Sequence, residues 1–243
     1  MPDKPDSKIQ DQPDYELHMP GFLTHPVQVG IISFIIGAFV YAILREKPIW
    51  GLTFWGICVV VGGLYASISS SVKKFTNLES RLKARDKFLS EIPFRGDETV
   101  LDVGCGNGIL ILNAAKHLTT GKGIGIDIWT EGAGDSHPRA FHRNAEIEGV
   151  ADRVSLQNED VRKLPYEDES IDIIISGLTM HHILHGSGTD KAVSEMVRVL
   201  KPGGCLAIYD VRIAVNTSAK LMLKNGLEIE KKYQEMVFGL KPV

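Results

Sequence analysis

The nine residues VLDVGCGNG, Val100 to Gly108, restrict the fold of this chain more than any other segment. A β-rich run ends in a turn with glycine at 104, 106 and 108 and then passes into a helix-like stretch. Glycine lets the backbone approach a ligand where a Cβ would collide, and such a turn delivers amide groups and a helix N-terminus to one place. A polar ligand is therefore expected there. A dinucleotide fold prefers GxGxxG, whereas this chain has GxGxG with Asp102 on the strand itself. That carboxylate suits a ligand carrying a cationic amino group and a sulfonium better than an anionic pyrophosphate.

From about residue 93 onward, short apolar runs alternate with helix-like segments, the βαβ pattern of an α/β, Rossmann-like, doubly wound and mostly parallel sheet with helices on both faces. Strands are expected at 99–103, 123–128, 154–157, 171–176, 205–211 and 228–237, and helices at 108–118, 138–148, 190–200 and 218–225.

Over residues 95–226 the chain resembles the class I S-adenosylmethionine-dependent methyltransferases, in particular the small-molecule branch that includes the ubiquinone/menaquinone C-methyltransferases. The resemblance is carried by VLDVGCGNG, GIGIDIW, NEDVRKLPYEDESIDIIIS and EMVRVLKPGGCLAIYD in that order. It implies S-adenosyl-L-methionine as cofactor, with Asp102, Gly104, Cys105 and Gly106 beside its amino acid part. Asp127, 23 residues after Gly104, falls where the family positions an acid for both ribose hydroxyls. Two hydroxyls and two carboxylate oxygens pair well. Ile128 is implied to cover the adenine face, Asp160 to meet its exocyclic amine and Val161 to offer a backbone amide. The family normally ends in a two-strand antiparallel hairpin, and only 17 residues follow Gly226, so an abbreviated or truncated sheet edge is expected.

The segment SGLTMHHILHGSG lies at the carboxyl end of the fourth strand, where ligands bind in open α/β folds. His181 and His182 are the candidates for a general base or an acceptor-orienting group, since imidazole takes a proton near neutral pH. Each is equally readable as a structural histidine that caps the pocket. The acceptor is expected to be a small or lipid-like molecule. The loop between Trp129 and Ala140, with Glu131, Gly132, Gly134, Asp135, Ser136 and His137, is long enough to fold over it. An Asn/Asp-Pro-Pro-Tyr motif is absent, and a formal charge of -3 offers no field for a polyanion, so nucleic acid is not an expected partner. No His, Asp and Cys grouping suggests a metal. The three cysteines, Cys58, Cys105 and Cys205, are widely spaced without a CxxC pair, which argues against a disulfide framework.

The first 92 residues have a different character. Residues 1–24 carry prolines and acids and are expected to form a mobile tail. Runs at 27–44 and 49–68 hold no charge over 18 and 20 residues, separated by Arg45, Glu46, Lys47 and Pro48. These lengths fit a transmembrane helical hairpin, assigned to 25–70, and a buried hairpin in a soluble core is the competing reading. Residues 71–92 are rich in Lys and Arg, a flank expected on the cytoplasmic side, either as an amphipathic juxtamembrane helix or as a linker helix packed on the catalytic domain at 93–243. The expected localisation is thus a multi-pass membrane protein with a cytoplasmic catalytic domain. The oligomeric state is not set by anything in the sequence. Two other functions compete: a non-catalytic S-adenosylmethionine-binding membrane sensor or scaffold, and a nicotinamide oxidoreductase, which the absence of a Tyr-x-x-x-Lys motif weakens.

Overall fold

The computed structural model describes residues 12–15, 26–43, 48–129, 137–183 and 188–243. The chain divides into two compact units, one made of Glu16–Ala84 and the other of Met1–Tyr15 together with Arg85–Val243.

The larger unit is built on a seven-stranded sheet. Its strands are β1 (Thr99–Val103), β2 (Lys122–Asp127), β3 (Val154–Asn158), β4 (Ile171–Gly177), β5 (Leu200–Tyr209), β6 (Glu228–Lys232) and β7 (Met236–Leu240), in the order β3-β2-β1-β4-β5-β7-β6. The first five run parallel, and β7 enters antiparallel between β5 and β6. The chain winds outward from β1 to β2 and β3, then crosses back to β4, so β1 and β4 flank the reversal point where α/β sheets bind ligands. This is the α/β Rossmann-like fold with a mixed sheet.

Alternation along the strands sorts side chains onto two faces. Leu101 and Val103 of β1 join Ile124 and Ile126 of β2 and Ile174 of β4 in one core, closed by Val193 and Met196 of a helix at Gly188–Val199 and by Val215 and Met222 of a helix at Arg212–Lys224. On the opposite face β2 presents glycines. A Cβ at Gly123 would meet Ile111 at 2.9 Å, and one at Gly125 would meet Cys105 Sγ at 2.8 Å. These glycines let the short helix Ile111–Ala114 and Phe141 of the helix Pro138–Ile147 sit close to the sheet. Asp102 points to this second face.

The sheet edge corrects two expectations, the abbreviated edge and the single strand, since β6 and β7 form an antiparallel pair there. The single run expected at 228–237 is two strands, because the turn after Lys232 reverses the chain and Met236, Val237 and Phe238 bury their side chains beside β5. Phe238 packs in a tilted arrangement 5.4 Å, centroid to centroid, from Phe88, which is fully buried. Phe88 belongs to the helix Leu78–Ser90, whose end from Arg85 onward is therefore part of the larger unit. Lys231 adds an ion pair to Glu91 at 3.0 Å.

Residues 12–15, expected within a mobile tail, instead dock on this unit. Asp14 exchanges hydrogen bonds with the fully buried Asn144, donating its N–H to Oδ1 at 2.8 Å and accepting from Nδ2 at 2.9 Å. Tyr15 is buried and donates its hydroxyl to Glu148 at 2.9 Å. The rest of the expected tail, 1–11 and 16–24, lies outside the described residues, as do Arg45, Glu46 and Lys47.

In the smaller unit the expected helical pair forms, at Pro26–Ile43 and Pro48–Thr76. The helices meet at Gly37, where a Cβ would stand 2.7 Å from the Trp55 ring, and Phe34 contacts that ring edge-on at 5.6 Å. Among the described residues, however, no helix is long and apolar enough to cross a membrane. This overturns the transmembrane assignment of residues 27–68, the membrane as a partner, and the multi-pass localisation with a cytoplasmic domain. The first helix is described over 18 residues. In the second, Gly51, Thr53, Gly56, Gly62, Gly63 and Ser67 interrupt the apolar side chains.

The packing of Phe88 gives a direct test. Phe88→Ala should lower the stability of the full chain by about 3–5 kcal/mol in urea denaturation, the cost of emptying a fully buried aromatic site. Lys83→Ala, on the exposed stretch of the same helix, should leave the midpoint where it is.

Candidate functional site

The glycine turn is fixed by bonds from its own amides. Gly104 and Cys105 both donate to the Ile126 carbonyl of β2, at 2.8 and 3.0 Å. Gly106 donates to Asp127 Oδ2 at 2.8 Å, and Ile128 donates to Oδ1 of the same carboxylate at 2.7 Å. Gly104, Gly106 and Gly108 all have positive φ, at 72°, 52° and 90°. At Gly104 a Cβ would in addition run into the Thr179 side chain. Thr179 donates to the carbonyls of Gly177 and Gly104, at 3.1 and 3.3 Å, and so ties the turn to the end of β4.

Beneath the turn lies Asp102, 1% exposed. Its Oδ2 accepts from the Ile111 amide at 3.2 Å, while Oδ1 is buried with no hydrogen-bond partner among the described residues. Burial, assisted by the negative charge of Asp127, pushes its pKa up to about 8 despite the Ile111 bond. Cys105 is buried against Gly125, and burial beside Asp102 and Asp127 raises its thiol well above the usual range. Its sulfur lies against the backbone of β2 at Gly125.

Of the remaining residues named from the sequence, Ile128 is 49% exposed at the end of β2, and Val161 is buried. Asp160 is gripped by Arg162, whose Nε bonds both carboxylate oxygens at 2.9 Å and whose amide donates to Oδ1 at 2.9 Å, and this guanidinium holds the carboxyl below its ordinary pKa. Asp160 therefore shapes its own turn, a role the sequence did not suggest. Most of the loop expected over the acceptor, 130–136, lies outside the described residues, and His137 caps the helix Pro138–Ile147 by accepting from the Arg139 amide.

His181 and His182 form a short 3-10 turn after β4, with ring centroids 4.0 Å apart. His181 Nδ1 lies 2.8 Å from Oδ1 of Asp210, a fully buried carboxylate at the end of β5, and the His181 amide donates to Oδ2 at 3.2 Å. The Val211 amide also donates to Asp210, at 2.6 Å. Leu178, with φ at 54°, makes the sharp exit from β4 that brings the histidines round to β5. Desolvation and the adjacent His181 lower the pKa of His182. Asp210 and Thr179 were not singled out from the sequence. The signal for Asp210 was present, because it ends its strand in IYD as Asp102 and Asp127 mark the ends of theirs. Among the described residues no cluster of His, Cys, Asp or Glu is arranged for a metal.

Residues 101–208 match a family model described as a methyltransferase domain. The demethylmenaquinone methyltransferase of Symbiobacterium thermophilum is 34% identical over 119 residues, which are 49% of this chain and 44% of that protein. The 27-O-demethylrifamycin SV methyltransferase of Amycolatopsis mediterranei is 30% identical over 137 residues, 54% of this chain and 45% of that one. The chain thus spans about half or less of the length of these curated relatives. Among solved structures, it is similar in fold to an S-adenosylmethionine-dependent methyltransferase from Aquifex aeolicus, with a TM-score of 0.54 at 23% identity, covering 70% of this chain and 95% of that one.

A pH dependence of stability follows from Asp102. Its folded pKa of about 8 stands above the ordinary carboxyl value of 3.8, so the native state holds a proton that the unfolded chain releases. The contribution is complete below the unfolded pKa and is lost as pH rises toward 8. His182, with its pKa lowered, acts in the opposite sense, losing stability as pH falls through its unfolded pKa. The difference between the wild type and Asp102→Asn isolates the first effect. In urea denaturation from pH 5 to 8.5 the wild type should lose about 2–5 kcal/mol relative to the variant.

Proposed function

We propose that this chain, whose residues 101–208 form an S-adenosyl-L-methionine-dependent methyltransferase domain, moves the methyl group of S-adenosyl-L-methionine onto a small-molecule acceptor bound at the carboxyl ends of β4 and β5. The observation that carries the reading is the orphaned Asp102 Oδ1. A buried carboxyl oxygen without a partner is costly, and a cationic amino group docked on the glycine turn would satisfy it. The backbone of Gly104 and Gly106 supports the same fit, because the turn leaves no room for a side chain at 104.

Asp127 has used one lone-pair site on each oxygen for the Gly106 and Ile128 amides, and a carboxylate has about four, so both ribose hydroxyls can still be accepted. Ile128 offers an apolar face to adenine, and Asp160 and Val161 form the turn beside it. The bound cofactor supplies a methyl group on a positively charged sulfur.

His181 is the proposed proton acceptor. With Nδ1–H donated to Asp210, its Nε2 lone pair is left for the acceptor substrate, and the imidazolium that forms is offset by the buried carboxylate. Desolvation and the adjacent His181 lower the pKa of His182, which favours its neutral form beside His181. The proton of the acceptor would pass to His181 Nε2 as the acceptor takes up the methyl group that the bound cofactor would supply. Alignment and exclusion of water carry most of the acceleration, on the order of 7–11 kcal/mol. The two curated relatives are named for demethylmenaquinone and 27-O-demethylrifamycin SV. A small organic acceptor with an exchangeable proton is the corresponding class here.

Calorimetric titration with S-adenosylhomocysteine tests the cofactor half of this reading. The wild type should bind, and Asp127→Ala should bind at least about tenfold more weakly, whereas equal binding would sink the assignment. For the acceptor half, transfer of radiolabelled methyl into a small-molecule extract should fall about a hundredfold or more in His181→Gln with S-adenosylhomocysteine affinity unchanged. An active His181→Gln enzyme would remove this histidine from the mechanism.

A further inference from the structure

We propose that Asp102 couples cofactor binding to the loss of one proton: the free site holds it as a neutral acid, and a ligand ammonium arriving at the glycine turn displaces its proton to solvent. Asp102 would thereby be a specificity-determining residue, favouring ligands that carry the amino acid part of the cofactor over those with the nucleoside alone. The inference rests on the cofactor reading above and adds to it a stoichiometry and a selectivity.

The geometry leaves little choice about the free state. Asp102 is 1% exposed and makes a single hydrogen bond, from the Ile111 amide, so an anion there would be desolvated with one oxygen unpaired. The groups packed around it offer no compensation. From β2 comes Asp127, another acid, and from the turn comes the Cys105 thiol, itself kept protonated by the two carboxyls and by burial. The helix Ile111–Ala114 contributes only its first amide. Burial first, and then the negative charge of Asp127, push the Asp102 carboxyl up to about 8.

Introducing a fixed positive charge reverses the balance. A cation within hydrogen-bond reach of Oδ1 favours the ionised carboxyl, just as an adjacent guanidinium does for Asp160 on the surface. The O–H bond of the neutral acid breaks, its proton passes to buffer, and the electron pair remains on the carboxylate facing the ammonium. A nucleoside that lacks the amino acid part brings no charge to this position and leaves the proton where it is.

Titration of the full chain with S-adenosylhomocysteine at pH 6.5, in phosphate and in imidazole, reads the proton directly, because the two buffers differ in ionisation heat. The heats should differ by the amount for about one proton released, and affinity should weaken about tenfold for each unit of pH from 7 to 5. In Asp102→Asn the buffer dependence should vanish, and 5′-methylthioadenosine should show none with the wild type. Equal heats in the two buffers for the wild type would overturn the proposal while leaving the cofactor reading intact, as would a proton still released by Asp102→Asn. No binding by the folded wild type would instead overturn the cofactor reading, and this inference with it.

Discussion

The two hydrogen bonds that the Gly104 and Cys105 amides donate to the Ile126 carbonyl are the interaction on which the rest of the site depends. They fold the loop after β1 back over β2, so the glycine turn is fixed to the sheet at the level where β2 ends. Gly106 then reaches Asp127, and Asp102 is sealed under the turn. Each of these placements requires the turn to lie flat on the strand beside it. The glycines of β2 make that possible by clearing the face for Cys105, Ile111 and Phe141.

A second consequence of the sheet is the meeting of β4 and β5 at the opposite side of the reversal point. The strands are parallel neighbours, so Leu178 and Asp210 emerge together, and the tight exit at Leu178 turns His181 onto the buried Asp210 carboxylate. The site thus contains two buried acids in contrasting situations. Asp102 has one bond and an orphaned oxygen, whereas Asp210 receives the His181 amide, the His181 ring and the Val211 amide. The first lacks a partner that a ligand can bring, and the second already has its partner in the chain.

The parallel core was legible in the sequence because its strands are apolar runs bounded by turn residues and its ligand turn is written in glycine. β1 runs over 99–103 as expected, and β2 to β4 agree within a residue at each end. The antiparallel edge was not legible, since residues 228–237 show no glycine or proline to mark the reversal between β6 and β7. The partners of Asp160 and His181 were invisible for another reason. Arg162 competes for Asp160 through a local bond that any nearby cation offers, and Asp210 reaches His181 only through pairing of strands distant in sequence. Hydrophobicity alone also misled at residues 27–68. An uncharged run reads as a candidate span, yet among the described residues no helix is long and apolar enough to cross a membrane.

The docking of residues 12–15 changes the topology of the whole chain. Asp14 and Tyr15 are held by Asn144 and Glu148, and the chain returns to the same unit at Arg85, so Glu16–Ala84 is an insertion anchored at both ends and not an appendage at one terminus. In polymer terms it is a closed loop. The entropy of closing a loop grows only with the logarithm of its length, about 0.6 kcal/mol for each doubling. The chain length enclosed between the two anchors can therefore change by many residues at a cost smaller than one hydrogen bond while both anchors stay in the larger unit.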